Sequence, residues 1–155
     1  MRKPGAALLD VNVLVALFDP AHVHHDVAHD WFADHRKDGW ATCPLTENGF
    51  VRVLANPAYG GAESRPADIV ALLRKFCASR HHAFWADTIS LCDESLFDPA
   101  FIRGHQQLAD VYLLGLARKM GGSLATFDRA IPLKAIVGAQ PGLLQVIAPA
   151  DDAPV

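Results

Sequence analysis

The chain has 155 residues, of which 51% are hydrophobic and 20% charged, and its formal net charge is −3. These values are typical of one ordered domain with a continuous core, and they exclude a disordered chain. The slight negative charge argues against a passive nucleic-acid coat, although an enzyme whose metal ions carry local positive charge does not need a basic surface.

The lengths of the apolar stretches and the spacing of the cysteines indicate where in the cell the chain is expected. No apolar stretch approaches the roughly 20 residues that a membrane-spanning helix requires, so we expect no membrane association. Cys43, Cys77 and Cys92 are odd in number and widely spaced, and none has a Cys-x-x-Cys partner. This pattern favours free thiols in the cytoplasm over a disulfide framework or a zinc ribbon.

The N-terminal half of the chain alternates short apolar segments with segments of helical periodicity. The predicted elements are a strand over 6–9, a helix over 11–18, a helix over 24–36, a strand over 40–43 and a helix over 46–54. Pro44 is expected to break the second strand. Residues 58–65 are rich in glycine and small side chains, and this composition predicts a loop.

The C-terminal half continues the alternation. Pro66 opens a predicted helix that runs through Phe76. A strand over 82–89, a helical turn over 93–97, a helix over 106–120 and strands over 123–126 and 143–147 follow. The pair Gly121-Gly122 is a helix stop. The pattern predicts an α/β fold with a central, mainly parallel sheet of about four or five strands between helices. We expect one domain over 1–148 and a tail over 149–155.

Four carboxylates occupy apolar stretches that have no structural need for a negative charge. Asp10 and Asp128 each follow a predicted strand, at the edge where parallel α/β sheets collect ligands. Glu47 and Asp110 lie near helix starts, and helical spacing places each on a core-facing stripe. Acidic side chains are rarely buried unless they are paired or bound to a cation. The four therefore suggest one shared site that a divalent metal ion holds together.

A purely structural interpretation competes for three of these residues. An aspartate at a strand-to-helix junction is often an N-cap, which would account for Asp10, Asp110 or Asp128 taken singly. Glu47 is harder to explain in this way, because a glutamate on a core stripe needs a partner. The coincidence of all four favours the metal site.

The segments that contain these acids resemble a known family in order, spacing and context. They are residues 8–17, 46–54, 107–117 and 124–128. Together they are similar to PIN-domain ribonucleases, in particular the VapC toxins of bacterial toxin–antitoxin pairs. The resemblance implies a three-layer PIN-like domain that spans nearly the whole chain.

By this resemblance, Asp10, Glu47, Asp110 and Asp128 would form a catalytic acidic pocket that binds Mg²⁺ or Mn²⁺. Because Mg²⁺ prefers oxygen ligands and keeps several waters, a few carboxylates suffice. Asn12 and Thr46 would lie beside the pocket and order carboxylates or waters by hydrogen bonds. Turn or cap chemistry remains the alternative for these last two residues.

The resemblance also implies the reaction and its partners. VapC-like proteins are endoribonucleases in which metal-activated water hydrolyses RNA and leaves a 5′-phosphate. A VapB-like antitoxin and a homodimer are expected. The acids by themselves leave two other classes open, namely a metal-dependent phosphatase or DNA nuclease and a non-catalytic PIN-like nucleic-acid-binding module. Which RNA is cut is not determined by these motifs.

A histidine cluster lies outside these motifs. It comprises His22, His24, His25 and His29, and His25 and His29 are one helical turn apart. This spacing suits zinc, but no zincin-type glutamate and no nearby cysteine accompany it. A polar helix start is the favoured interpretation.

Overall fold

The computed structural model describes residues 5–60 and 65–148. The strands are β1 (Ala7–Leu9), β2 (Trp40–Thr42), β3 (His82–Phe84), β4 (Ser123–Thr126) and β5 (Leu144–Val146). They form one sheet in the order β3-β2-β1-β4-β5, and every neighbouring pair is parallel. The predicted parallel sheet is therefore confirmed.

Helices connect the strands and cover both faces of the sheet. They are α1 (Val11–Phe18), α2 (His25–His35), α3 (Pro44–Leu54), α4 (Pro57–Gly60), α5 (Pro66–Cys77) and α6 (Leu108–Lys119). Short 3₁₀ turns lie at Arg36–Asp38, Pro99–Phe101, His105–Gln107, Leu133–Ala135 and Pro141–Leu143. Within the described ranges, no helix combines the length and apolar character needed to cross a bilayer.

The alternation of side chains along β1 divides the core into two halves. Leu8 packs into the half that contains the buried residues of α6. Ala7 and Leu9 pack into the other half, with residues of α1, α2, α3 and α5. Both leucines are fully buried, as expected for a strand covered on both faces. The fold thus has three layers, with helices on each side of the sheet.

Pro44 and Pro57 begin the helices α3 and α4, whose starts the sequence did not predict. Pro44 is the first residue of α3, so this helix starts two residues before the predicted 46. The fixed φ of proline suits a first helical turn, and the Cys43 N–H donates to Thr46 Oγ1 at 3.0 Å.

The loop prediction over 58–65 is wrong at its start, because Pro57–Gly60 forms α4. Asn56 Oδ1 accepts a hydrogen bond from the Ala58 N–H at 2.9 Å, and this contact caps the short helix. Residues 61–64 lie outside the described residues.

The remaining differences concern the ends of elements. The predicted strand over 82–89 pairs only over His82–Phe84, and the predicted helix over 106–120 consists of a 3₁₀ turn followed by α6. Gly121 has a φ of 72°, which confirms the glycine stop after α6. The predicted tail over 149–155 lies outside the described residues.

The direction in which successive strands are added to the sheet reverses between β1 and β4. From the central β1 the chain builds β2 and β3 on one side, and it later adds β4 and β5 on the other. Such a reversal opens a crevice at the carboxyl ends of the two central strands, where α/β proteins bind ligands. The backbone N–H of Asp10 donates to Ala125 O at 3.0 Å, and this bond joins the end of β1 to β4 at the crevice.

Candidate metal centre

Asp10 follows β1 directly, and both of its carboxylate oxygens are bonded within the protein. Oδ1 accepts from the Val11 N–H at 2.7 Å, and Oδ2 accepts from Thr126 Oγ1 at 2.7 Å. The residue is only 6% exposed, and this burial is the main cause that raises the pKa of its carboxyl group. Asp10 is therefore both the N-cap of α1 and a buried carboxylate in the crevice.

Thr126, the last residue of β4, links several groups around Asp10. Its hydroxyl donates to Asp10 and accepts from Asn12 Nδ2 at 3.3 Å. It also accepts from the Asp128 N–H at 3.1 Å. Thr126 is not among the site residues predicted from the sequence. The signal that could have found it is a hydroxyl two residues before Asp128, at the end of a strand and directly after the apolar residues Leu124 and Ala125.

The Asn12 side chain includes a buried oxygen that has no hydrogen-bond partner within the described part of the chain. Its Nδ2 is bonded to Thr126, whereas Oδ1 is buried and unpaired among the described residues. An unpaired buried acceptor is uncommon and calls for a water or an ion as its partner. The Asn12 side chain is linked to the Asp10 carboxylate through the Thr126 hydroxyl, which contacts Asn12 Nδ2 and Asp10 Oδ2.

Asp110 and Asp128 complete a group of three interacting carboxylates. Asp110 lies in the first turn of α6, and burial together with the charges of Asp10 and Asp128 raises its pKa to about 6. Asp128 also raises the pKa of Asp10, and one oxygen of Asp128 accepts from the Ala130 N–H at 2.8 Å. The structure therefore brings together three of the four predicted acids.

Glu47 has other neighbours. Its Oε2 accepts a hydrogen bond from Thr42 Oγ1 at 2.6 Å, and its negative charge acts on Cys77 and His82. These residues belong to β2, β3 and α5, on the side of β2 away from β4. The expectation that Glu47 joins the aspartates is not supported by this placement.

The hydroxyl of Thr46 is occupied by backbone groups at the start of α3. It accepts from the Cys43 N–H at 3.0 Å and donates to Cys43 O at 3.1 Å. Thr46 is fully buried. These contacts support the cap interpretation for Thr46 and not a role beside the carboxylates.

The histidine cluster mainly serves the end of α1. The His25 Nδ1–H donates to Ala16 O at 2.7 Å, and the His29 Nε2–H donates to Leu17 O at 2.8 Å. Both carbonyls belong to the last turn of α1, where free acceptors need partners. The His24 ring packs against Phe127 with a centroid distance of 4.6 Å. These contacts favour the structural interpretation over a zinc site.

The three aspartates and Asn12 fit a hard divalent cation. Their donor atoms are all oxygens, which Mg²⁺ and Mn²⁺ prefer. Burial is the main cause that raises the pKa of Asp10 and of Asp110, and the charges of neighbouring aspartates raise both further, so like charges lie near one another in a partly desolvated place. A divalent cation would remove this repulsion, and the unpaired Oδ1 of Asn12 would accept from one of its waters.

Comparisons with known proteins agree with this geometry. The PIN domain family model matches residues 7–136. Ribonuclease VapC44 of Mycobacterium tuberculosis (strain H37Rv) is 43% identical over 133 residues, which are 86% of this chain and 93% of that protein. Ribonuclease VapC39 of the same strain is 41% identical over 132 residues, or 85% of this chain and 95% of that protein.

A solved structure has the same fold. The crystal structure of Mycobacterium tuberculosis VapC20, described as a sarcin-ricin loop cleaving toxin, superposes with a TM-score of 0.59. The match covers 88% of this chain and 100% of that chain at 15% identity, so it bears on the fold alone. The family match, the identities to the VapC ribonucleases and the shared fold agree, and the chain belongs to the VapC branch of the PIN-domain family.

Proposed function

We propose that the chain is a metal-dependent endoribonuclease, the toxin of a type II toxin–antitoxin pair. The observation that carries the proposal is the convergence of Asp10, Asp110 and Asp128 at the carboxyl ends of β1 and β4. The names of the VapC44 and VapC39 relatives support the choice of RNA as substrate.

Each residue of the centre would have its own role in holding the metal ion or a water. When bound, Mg²⁺ or Mn²⁺ supplies a Lewis acid that makes a water more acidic and offsets charge on the phosphodiester. Asp10 would offer the ion an oxygen in a fixed position, because the Val11 N–H and the Thr126 hydroxyl hold its two carboxylate oxygens. Asp110 and Asp128 are less buried and supply oxygens at the open side of the crevice. Asn12 Oδ1 accepts a hydrogen bond from a water and orients it.

A neighbouring groove is a candidate place for the RNA backbone. It has a volume of about 490 Å³, and its lining includes Arg103, Gln107, Ala130 and Lys134. Ala130 is bonded through its N–H to Asp128, so the groove adjoins the acidic centre. The two cations that line this groove, Arg103 and Lys134, suit a phosphate chain that must approach a negative site.

RNA cleavage with Mn²⁺ or with EDTA tests the proposal directly. We expect the purified chain to cut RNA only with metal, and we expect Asp10→Asn and Asp110→Asn to abolish cutting while the fold persists. Asp30→Asn, an exposed aspartate on α2, is the matched control and should remain active. Full activity of Asp10→Asn or Asp110→Asn would refute the assigned centre.

The same assay separates the alternative functions. Cleavage of DNA in preference to RNA, or release of phosphate from a monoester, would favour the nuclease or phosphatase alternative. Metal-independent RNA binding without cleavage would favour a non-catalytic module. Mapping the new 5′ ends after induced expression would identify the RNA.

The family relationship also supports proposals about partners and location. We infer a VapB-like antitoxin, for which the negative crevice favours a basic side chain at the contact. A homodimer in the cytoplasm and a single domain over 1–148 complete the proposal. Size measurement of the chain with and without a co-expressed antitoxin tests both assemblies.

A further inference from the structure

A second group of metal-ligand side chains lies apart from the three aspartates. It consists of Glu47, Cys77 and His82, each of which offers one ligand atom, and the three atoms lie within 4.8 Å of one another. Glu47 is in the first turn of α3, Cys77 ends α5, and His82 begins β3. Three separate elements thus bring a carboxylate, a thiol and an imidazole together.

A buried hydroxyl supports two of these side chains from behind. Thr42 Oγ1 donates to Glu47 Oε2 at 2.6 Å and lies 2.7 Å from His82 Nε2. It is also 3.9 Å from Cys77 Sγ. Thr42 itself is fully buried. Hydrogen bonds of this kind orient the ligands of metal sites and limit their freedom before the metal arrives.

The cluster opens to solvent on its other side. Glu47, Cys77 and His82 all line a groove of about 460 Å³. The rest of its lining is largely apolar and is formed by Val70, Leu73, Arg74, Ala78 and Phe84. An ion can therefore reach the three donors, and much of the wall around them offers no further oxygen ligands.

We propose that Glu47, Cys77 and His82 form a zinc site that is separate from the aspartate centre. Sulfur, nitrogen and oxygen donors on one ion suit Zn²⁺, whereas Mg²⁺ and Mn²⁺ prefer oxygen alone. A thiolate and a carboxylate together balance the charge of Zn²⁺, and the thiol proton leaves to solvent on binding. Three protein ligands leave one position of the tetrahedron open to water in the groove. The bound ion would tie α3, α5 and β3 together.

Cobalt is the probe that tests the site, because Co²⁺ occupies zinc sites and a thiolate ligand gives it a near-ultraviolet charge-transfer band. The full-length Asp110→Asn chain is titrated with Co²⁺ so that the aspartate centre contributes little. We expect one equivalent to produce the band and Zn²⁺ to displace it. Cys77→Ser should remove the band, and His82→Gln should weaken binding at least about tenfold. Cys92→Ser, at an exposed cysteine, should leave the band unchanged.

A second measurement covers the case in which a variant fails to fold. In the otherwise unaltered chain, Zn²⁺ should protect Cys77 from alkylation by iodoacetamide, while the exposed Cys92 reacts as before, as mass spectrometry would show. Equal alkylation of Cys77 with and without Zn²⁺ would overturn the proposal, as would a cobalt band that persists in Cys77→Ser. RNA cleavage is not measured in either experiment, so failure here leaves the proposed ribonuclease function untouched.

Discussion

Replacing Asp110 by Asn is expected to stabilise the metal-free protein at neutral pH although it abolishes RNA cleavage. Burial and the charges of Asp10 and Asp128 raise the pKa of Asp110 from 3.8 to about 6. Each pKa unit corresponds to about 1.4 kcal/mol, which sets an upper bound of about 3 kcal/mol. Because Asp110 is only partly buried, solvent screening reduces the expected gain to about 1–2 kcal/mol.

The sign of the pH dependence follows from the direction of the shift. The folded state holds the Asp110 proton more tightly than the unfolded state, so this group lowers the free energy of unfolding as pH rises from about 4 to about 6. The asparagine variant lacks this term. The stability difference between variant and wild type should therefore be near zero at about pH 4 and reach its full size at about pH 7.

Urea unfolding in EDTA, followed by tryptophan fluorescence over this pH range, measures the difference. Asp30→Asn is the control and should show no such trend. Added Mn²⁺ should reverse the order, because wild type gains stability from binding and the variant gains little. A variant that is less stable than wild type at neutral pH, or a difference independent of pH, would refute the idea that these charges converge.

Three further changes test neighbouring features. Thr126→Val removes the hydroxyl that Asp10 accepts from, so Mn²⁺ affinity, measured by titration calorimetry, should fall about 10–100-fold. An unchanged affinity would contradict the positioning role. Gly115→Ala would place a Cβ 2.3 Å from Phe97 Cζ, and urea unfolding should show a loss of about 1–3 kcal/mol. Arg103→Gln should raise the KM for RNA more than it changes kcat, and an unaltered KM would remove this groove from the substrate path.

The behaviour of Asp10 shows that a cap and a site residue are compatible roles. Its Oδ1 caps α1, while Oδ2 is held by Thr126 on β4. The cap fixes the carboxylate at the end of β1, because the N–H of Val11 cannot move without unwinding the helix. The structural role that competed with the metal site in the sequence thus positions the side chain for that site.

Glu47 lies apart from the three aspartates, and helical periodicity alone could not predict this separation. The spacing in α3 shows that Glu47 shares the core-facing side of its helix. It does not show which elements lie opposite that side. In the fold, β2, β3 and α5 lie opposite it, and Glu47 contacts Thr42, Cys77 and His82. The structure leaves Glu47 partly buried beside these residues, and the spacing in α3 alone does not reveal such partners.

The same distinction between local features and long-range contacts holds for the whole molecule. The parallel α/β class, most helices and the acids that follow β1 and β4 could be predicted from the chain alone, because periodicity and strand ends are local properties. Three features are visible only in the folded molecule. Thr126 bonds Asp10, Asn12 Oδ1 has no partner among the described residues, and Glu47 lies with Cys77 and His82. Such contacts depend on strand order and helix packing, which join residues far apart in the chain.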